Sequence, residues 1–199
     1  LSEAVSMAAA MSHEGVDICL HLDHCKDMNV VYAAIRAGFG SVMYDGSALS
    51  FEENAKNTRR VCEVARACGV SVEAELGSIA AGLESHEGKE TDVQKYTDPQ
   101  KAAEFVKFTG VDALAVSIGT MHGRYKGEPN IRTDILERID AACGIPLVLH
   151  GGSGIPEEKI RACIAGGIAK INVNTEISSH CVKKTAELLA PGEKRPHLS

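Results

Sequence analysis

The residues best equipped for chemistry in this chain close a series of short apolar runs. The stretch Ile18-Cys19-Leu20-His21-Leu22-Asp23-His24-Cys25 reads as a strand ending in a carboxylate and two imidazoles, followed by a helical pattern over residues 28–37. Side chains alternate along a strand, so Cys19, His21 and Asp23 share one face while His24 falls where the chain is turning. A general acid then stands beside a metal ligand, although taken alone the stretch fits His21 and Asp23 as hydrogen-bonded core polars equally well. His122 and His150 close two further apolar runs, each followed by glycine. Three imidazoles arriving from three strands make a three-ligand site with open positions, the pattern of catalytic zinc. His13, His86, His180 and His197 fall in helical or loop contexts and read as surface residues.

A second constellation suits an anion. His150-Gly151-Gly152-Ser153-Gly154 and Asn172-Val173-Asn174-Thr175 each end a strand and enter a helix. Glycines let backbone amides approach an anion, and the helix amino end adds partial positive charge. Either stretch alone reads as a tight turn; together on adjacent strands they form a phosphate cradle.

The elements that must position these groups alternate strictly. Strands are expected over residues 18–25, 41–46, 70–77, 113–118, 146–149 and 170–173, each followed by a helical pattern. Ser50 and Glu53 have the spacing of a capping box, and Asp98-Pro99 supplies an N-cap with proline at the first helical position. The polar stretch 78–96 is long for a connection in a compact domain, which marks it as functional or disordered. Alternating strand and helix means a parallel sheet with helices outside. Polar residues at the end of nearly every strand favour a (β/α)8 TIM barrel over a doubly wound sheet, which gathers ligands at one switch point. Only six βα units are present and the chain opens on a helix, so two preceding units are expected to be missing. Residues 1–190 are expected to form one incomplete barrel, and 191–199 a polar tail.

Composition narrows the function classes. The 199 residues are 44% hydrophobic and 24% charged, enough for an ordinary globular core. A net charge of −6 with scattered basic residues predicts neither a nucleic-acid nor a membrane partner. Seven cysteines at irregular spacing, with no CxxC, predict reduced thiols. No apolar run approaches the ~20 residues of a membrane span, so the expected location is cytoplasmic.

The set HLDH, VEAELG, IGTMHG, LHGGSG and INVNTE, in this order, resembles the class II, zinc-dependent fructose-bisphosphate and tagatose-bisphosphate aldolases over residues 1–185. The resemblance implies a glycolytic lyase that cleaves fructose 1,6-bisphosphate reversibly to dihydroxyacetone phosphate and glyceraldehyde 3-phosphate through a zinc-stabilised enediolate. It implies His24, His122 and His150 as zinc ligands, Glu75 as a ligand in an alternative, inward position, and Asp23 as acid/base for the substrate hydroxyl. It further implies that Gly123, Gly151, Gly152, Ser153, Asn172, Val173, Asn174 and Thr175 hold the substrate. Backbone carbonyls near Gly123 and Gly151 would bind a monovalent cation, Na+ or K+, and the protein would be a homodimer or homotetramer acting on sugar phosphates. The family carries Gly-Gly-x-Glu after ELG; this chain reads Gly77 through Glu84 and Glu87 without it. Glu84 is therefore the first candidate for the proton-abstracting base, and Glu87 the second.

Three readings compete with this one. The tagatose bisphosphate, which differs at one stereocentre, is the alternative substrate, although INVNTE and residues 125–127 look closer to the fructose enzymes. Lys170 on the last strand would serve a Schiff-base aldolase, which leaves the three histidines unexplained. A non-catalytic, metal-binding barrel fragment follows from the missing strands, whose loss leaves sheet edges open.

Overall fold

The structure of the chain is a computed structural model, and it describes residues 1–11, 17–81, 96–123, 125 and 127–190. After helix α1 (Ser2–Met11) the chain runs β1 (His21–Cys25), α2 (Met28–Ala37), β2 (Ser41–Tyr44), α3 (Phe51–Ala67), β3 (Ser71–Leu76) and β4 (Ala80–Ala81). It continues with α4 (Pro99–Thr109), β5 (Ala113–Val116), β6 (Met121–His122), α5 (Thr133–Cys143), β7 (Leu147–Leu149), α6 (Glu157–Ala165), β8 (Ile168–Ile171) and α7 (Thr175–Leu189). The expected tail, 191–199, lies outside the described residues.

The helices start and stop where their local chemistry directs. Ser50 caps α3 by accepting from the Glu53 amide at 3.2 Å, and its hydroxyl turns to the Glu53 carboxylate at 3.3 Å. Asp98 caps α4 by accepting from the Gln100 and Lys101 amides at 3.0 and 2.9 Å, with Pro99 in the first turn, where a missing N–H costs nothing. Gly38, Gly110 and Gly144 end α2, α4 and α5 in the left-handed conformation.

Six strands pair in parallel in the order β1-β2-β3-β5-β7-β8, and β4 with β6 makes a separate two-stranded parallel ladder. Alternation then sorts the strands into two faces. Val42, Val72, Leu114, Val116, Leu147 and Leu149 point outward into one large core with Val31, Ala34, Val61, Ala65, Phe105, Leu136 and Ile139 of the helices. Each such side chain contributes about 1.5–3 kcal/mol by leaving water. Their neighbours Met43, Ala115 and Val148 form a small apolar cluster on the opposite, inner face. Both faces of β5 and β7 are therefore buried, which is why their apolar runs are continuous.

The sheet curls. His24 on β1 and His150 after β7 belong to strands four steps apart, which in a flat sheet is roughly 19 Å. Their rings lie 4.5 Å apart. Asn172, just after β8, reaches Asp23 on β1 with Nδ2 to Oδ1 at 3.3 Å. A partial barrel closed inward at its carboxyl rim accounts for both contacts. Among the described residues no helix is long and apolar enough to cross a membrane.

Several element bounds differ from expectation. β1 begins at His21 rather than Ile18, because residues 17–20 are outside the ladder. The last strand is Ile168–Ile171, ending before Asn172 rather than at Val173, which frees Asn172 to turn inward. The ladder β4–β6 was not anticipated, since two residues carry no periodicity.

Candidate functional site

His24 takes a left-handed backbone conformation, φ 45°, the one non-glycine residue with positive φ among those described. The β1–β2 register shifts between Leu22 and Cys25, as at a bulge. Simple alternation would aim Asp23 and His24 to opposite faces; the kink lets both line the same rim cleft. That conformation costs about 1–3 kcal/mol and persists only where its surroundings enforce it. Here the His24 amide donates to Met43 Sδ at 3.4 Å, and Asp45 N donates to the Cys25 carbonyl at 2.8 Å.

Three rings meet at the rim. The centroid of His24 lies 5.0 Å from that of His122 and 4.5 Å from that of His150, and His122 and His150 are 5.7 Å apart. His24 and His150 each have a carboxylate behind them: His24 Nδ1 is 3.2 Å from Asp45 Oδ2, and His150 Nε2 is 2.8 Å from Glu73 Oε1. Carboxylates accept, so both of those nitrogens carry the hydrogen. The nitrogens that then face each other, His24 Nε2 and His150 Nδ1, stand 2.7 Å apart. Two lone pairs at that distance repel unless a proton or a metal cation lies against them. The donor set thus fits a divalent ion, and the ligand atoms of all three histidines lie within 4.8 Å of one another.

The electrostatics of the rim suit that use. Burial, then the neighbouring His24 and His150, push the His122 imidazole down to about 3, so it stays neutral and able to donate a lone pair. Burial alone would raise the Asp45 and Glu73 carboxyls. Hydrogen bonds from His24 and Ser47 hold Asp45 well below its ordinary range, and those from His150 and Lys170 hold Glu73 down at about 2. Glu75 lies behind the rim, buried, its Oε2 3.9 Å from His24 Nδ1. Its place beside His24 and Asp45 forms a second group of potential ligands, set inward from the three histidines.

The neighbouring stretch supplies a concave, polar surface. Asp23, Gly123, Gly151, Ser153, Asn172, Asn174 and Thr175 line the same cleft as the three histidines. Gly152 and Val173 do not; Gly152 N donates to the Asn172 carbonyl at 3.0 Å and so fastens one turn to the other. The α7 amino end faces the cleft, and the Asn174 side chain does not cap it but accepts from Ser178 Oγ at 2.8 Å. Gly151 has a further reason to be glycine: with φ 70°, a Cβ there would sit 2.2 Å from the Met121 carbonyl oxygen. The tight turn alone accounts for glycine at this position.

His122 is displaced from expectation. It belongs to β6, beside β4, rather than to the end of β5. Glu84 and Glu87 lie outside the described residues. Sequence reasoning overlooked Asp45 and Glu73, although each carried a signal: Asp45 follows directly on β2, and Glu73 shares a strand face with Glu75, two residues on. Lys170, the alternative nucleophile, holds its ammonium 2.6 Å from Glu73 Oε2 as an ion pair.

Comparison with known proteins gives a consistent result. A family model described as fructose-bisphosphate aldolase class-II matches residues 1–198. A fructose-bisphosphate aldolase of Geobacillus stearothermophilus is 49% identical over 179 residues, covering 88% of this chain and 60% of that protein. One from Staphylococcus aureus is 43% identical over 192 residues, covering 93% of the chain and 65% of its own length. The crystal structure of the YdjI aldolase of Escherichia coli K12 superposes with a TM-score of 0.79 at 35% identity, over 94% of this chain and 64% of that one. The chain therefore spans three-fifths to two-thirds of the length of these relatives.

Proposed function

The chain belongs to the class-II fructose-bisphosphate aldolase family, and from that premise we propose that its site cleaves fructose 1,6-bisphosphate reversibly to dihydroxyacetone phosphate and glyceraldehyde 3-phosphate. The observation that carries the reading is the meeting of His24, His122 and His150, with carboxylates behind two of the rings. These three would hold Zn2+, with Glu75 as an inward alternative ligand. Zinc held there would supply Lewis acidity toward a substrate carbonyl. A monovalent cation, Na+ or K+, would take carbonyl oxygens such as that of Met121 where it crowds Gly151.

The remaining work falls to side chains of the chain itself. Asp23 faces the cleft with its carboxylate 3.3 and 3.4 Å from Asn172 Nδ2, so one amide group fixes its orientation while its open side meets a substrate hydroxyl. In cleavage it takes the hydroxyl proton; in condensation it returns it. Gly151, Ser153, Asn174 and Thr175 with the α7 amino end would form an anion-binding pocket beside it, where a phosphate fixes the reacting carbons relative to Asp23. Glu84 is the proposed base for the carbon-bound proton, with Glu87 second.

Cleavage of fructose and tagatose bisphosphates, each with and without EDTA, tests the assignment together with zinc content. Zinc-dependent cleavage with preference for the fructose compound is the expected result. Cleavage that survives EDTA and is trapped by borohydride on Lys170 would overturn it. One specific observation favours a second reading: β1 and β8 end the strand order without further partners among the described residues. Zinc bound at one equivalent with no turnover would establish this chain as a metal-binding piece of a barrel.

A further inference from the structure

The barrel interior holds a buried ionic group around Glu73, and the chemistry above does not use its outer member, Lys170. Glu73 on β3 is 2% exposed, and each of its carboxylate oxygens has a partner. Oε1 accepts from His150 Nε2 at 2.8 Å, and Oε2 from Lys170 Nζ at 2.6 Å. His21 Nε2 approaches Oε2 at 3.7 Å and Asp23 Oδ1 at 3.8 Å, while its Nδ1 pairs with Ser41 Oγ at 2.8 Å. His21, Asp23 and Glu73 together resemble a cation site. The Lys170 ammonium already supplies the positive charge there, so a second metal is not called for.

His150 could adopt either of two hydrogen-bonding states. With the hydrogen on Nε2 it donates to Glu73, and Nδ1 offers a lone pair toward His24. With the hydrogen on Nδ1, Nε2 would accept from Asn172 Nδ2, which stands 3.2 Å away, and the face toward His24 would be blocked by N–H. A charged carboxylate behind Nε2 selects the first state, because charge-assisted hydrogen bonds are about twice as strong as neutral ones. A carboxylate so deeply buried needs a countercharge to remain ionised and in place. Lys170 reaches it from the far edge of the sheet.

Resting on the metal-centre reading above, we propose that Lys170 is a positioning residue for that centre. Through Glu73 it holds His150 with Nε2 protonated and the Nδ1 lone pair aimed at the point where the three imidazoles converge. It touches neither the ion nor the substrate. Lys170 on β8 and Glu73 on β3 thus act together on the ring of His150, just after β7.

The test compares the intact chain with Lys170→Met, Lys170→Arg, Glu73→Gln and the Lys170→Met/Glu73→Gln double variant. Zinc affinity is read by competition with a chromophoric chelator, and the His150 tautomer by 15N shifts of the metal-free protein. Lys170→Met is expected to weaken zinc binding about 10–100-fold, the usual effect of losing an outer partner, and to move His150 toward the Nδ1-protonated form. Lys170→Arg, which keeps the charge, is expected to restore most of the affinity and the Nε2-protonated form. Unchanged affinity and tautomer in folded Lys170→Met overturn the proposal. Should that variant fail to fold, the Glu73→Gln pair decides, since no buried ion is then left unpaired. Adding Lys170→Met to Glu73→Gln is expected to change zinc affinity little, and a further tenfold loss would mean that Lys170 acts by another route. A parent chain that binds no zinc would sink the metal centre, while the tautomer shift in the metal-free protein would still decide the part played by Lys170.

Discussion

At the scale of single residues, the site is governed by which nitrogen or oxygen bears a proton. Asp23 is oriented by Asn172, and its nearest imidazole contact is His21, which is not one of the three rings proposed to hold zinc. Asp23→Ala is therefore expected to lower kcat about 10²–10⁴-fold, the range of a lost general acid/base, with zinc content unchanged by elemental analysis. Undiminished turnover would remove Asp23 from the mechanism. His122 makes a second prediction. Its pKa is lowered from 6.5 to about 3, so above 6.5 the ring is neutral both folded and unfolded. As pH falls below 6.5 the unfolded chain takes up a proton that the folded chain refuses, and stability declines toward the folded value near 3. His21, also lowered by burial and by Lys170, adds to the same slope. Thermal unfolding of the metal-free protein should show a lower Tm at pH 5 than at pH 7, and His122→Asn should flatten that dependence.

At the scale of elements, what counts is how the ends of strands are fastened to one another. Thr97, 2% exposed, precedes α4 and joins two strands: its hydroxyl donates to the Leu76 carbonyl and accepts from the Ser117 amide at 2.8 Å. Replacing Thr97 with Val keeps the shape but leaves both backbone groups short of a partner. A loss of about 1–3 kcal/mol is expected in denaturant unfolding; a change below a few tenths would show that water replaces the hydroxyl. Gly151 lets the turn after β7 pack directly against β6, where the Met121 carbonyl leaves no room for a Cβ. Gly151→Ala combines a left-handed conformation with that clash, and the strain alone is about 1–3 kcal/mol. Tm should fall and zinc affinity with it, because His122 lies next to Met121 and His150 next to Gly151.

At the scale of the whole molecule, the sheet's curvature converts six separate strand ends into one rim. An ion held by His24, His122 and His150 would bridge β1, β6 and β7, so zinc binding should stabilise the fold globally. At a hundredfold excess over Kd the gain is about 2.7 kcal/mol; EDTA should reverse the rise in Tm, and His150→Ala should abolish it. Much of this was legible in the amino-acid string. Alternation of strand and helix requires a parallel sheet, Ser50, Asp98 and Pro99 announce their helices, and a ligand-type residue closing an apolar run marks the carboxyl end of a strand. Those signals are local, and local signals survive in one dimension. Which polar groups face each other is not local. The kink at His24 that defeats simple alternation, the pairing of β4 with β6 that carries His122 inward, and Asp45, Glu73 and Lys170 standing behind the rim all depend on contacts between residues far apart in the chain. Such contacts exist only once the sheet has curled, because it is curvature that closes distances a flat sheet would hold open.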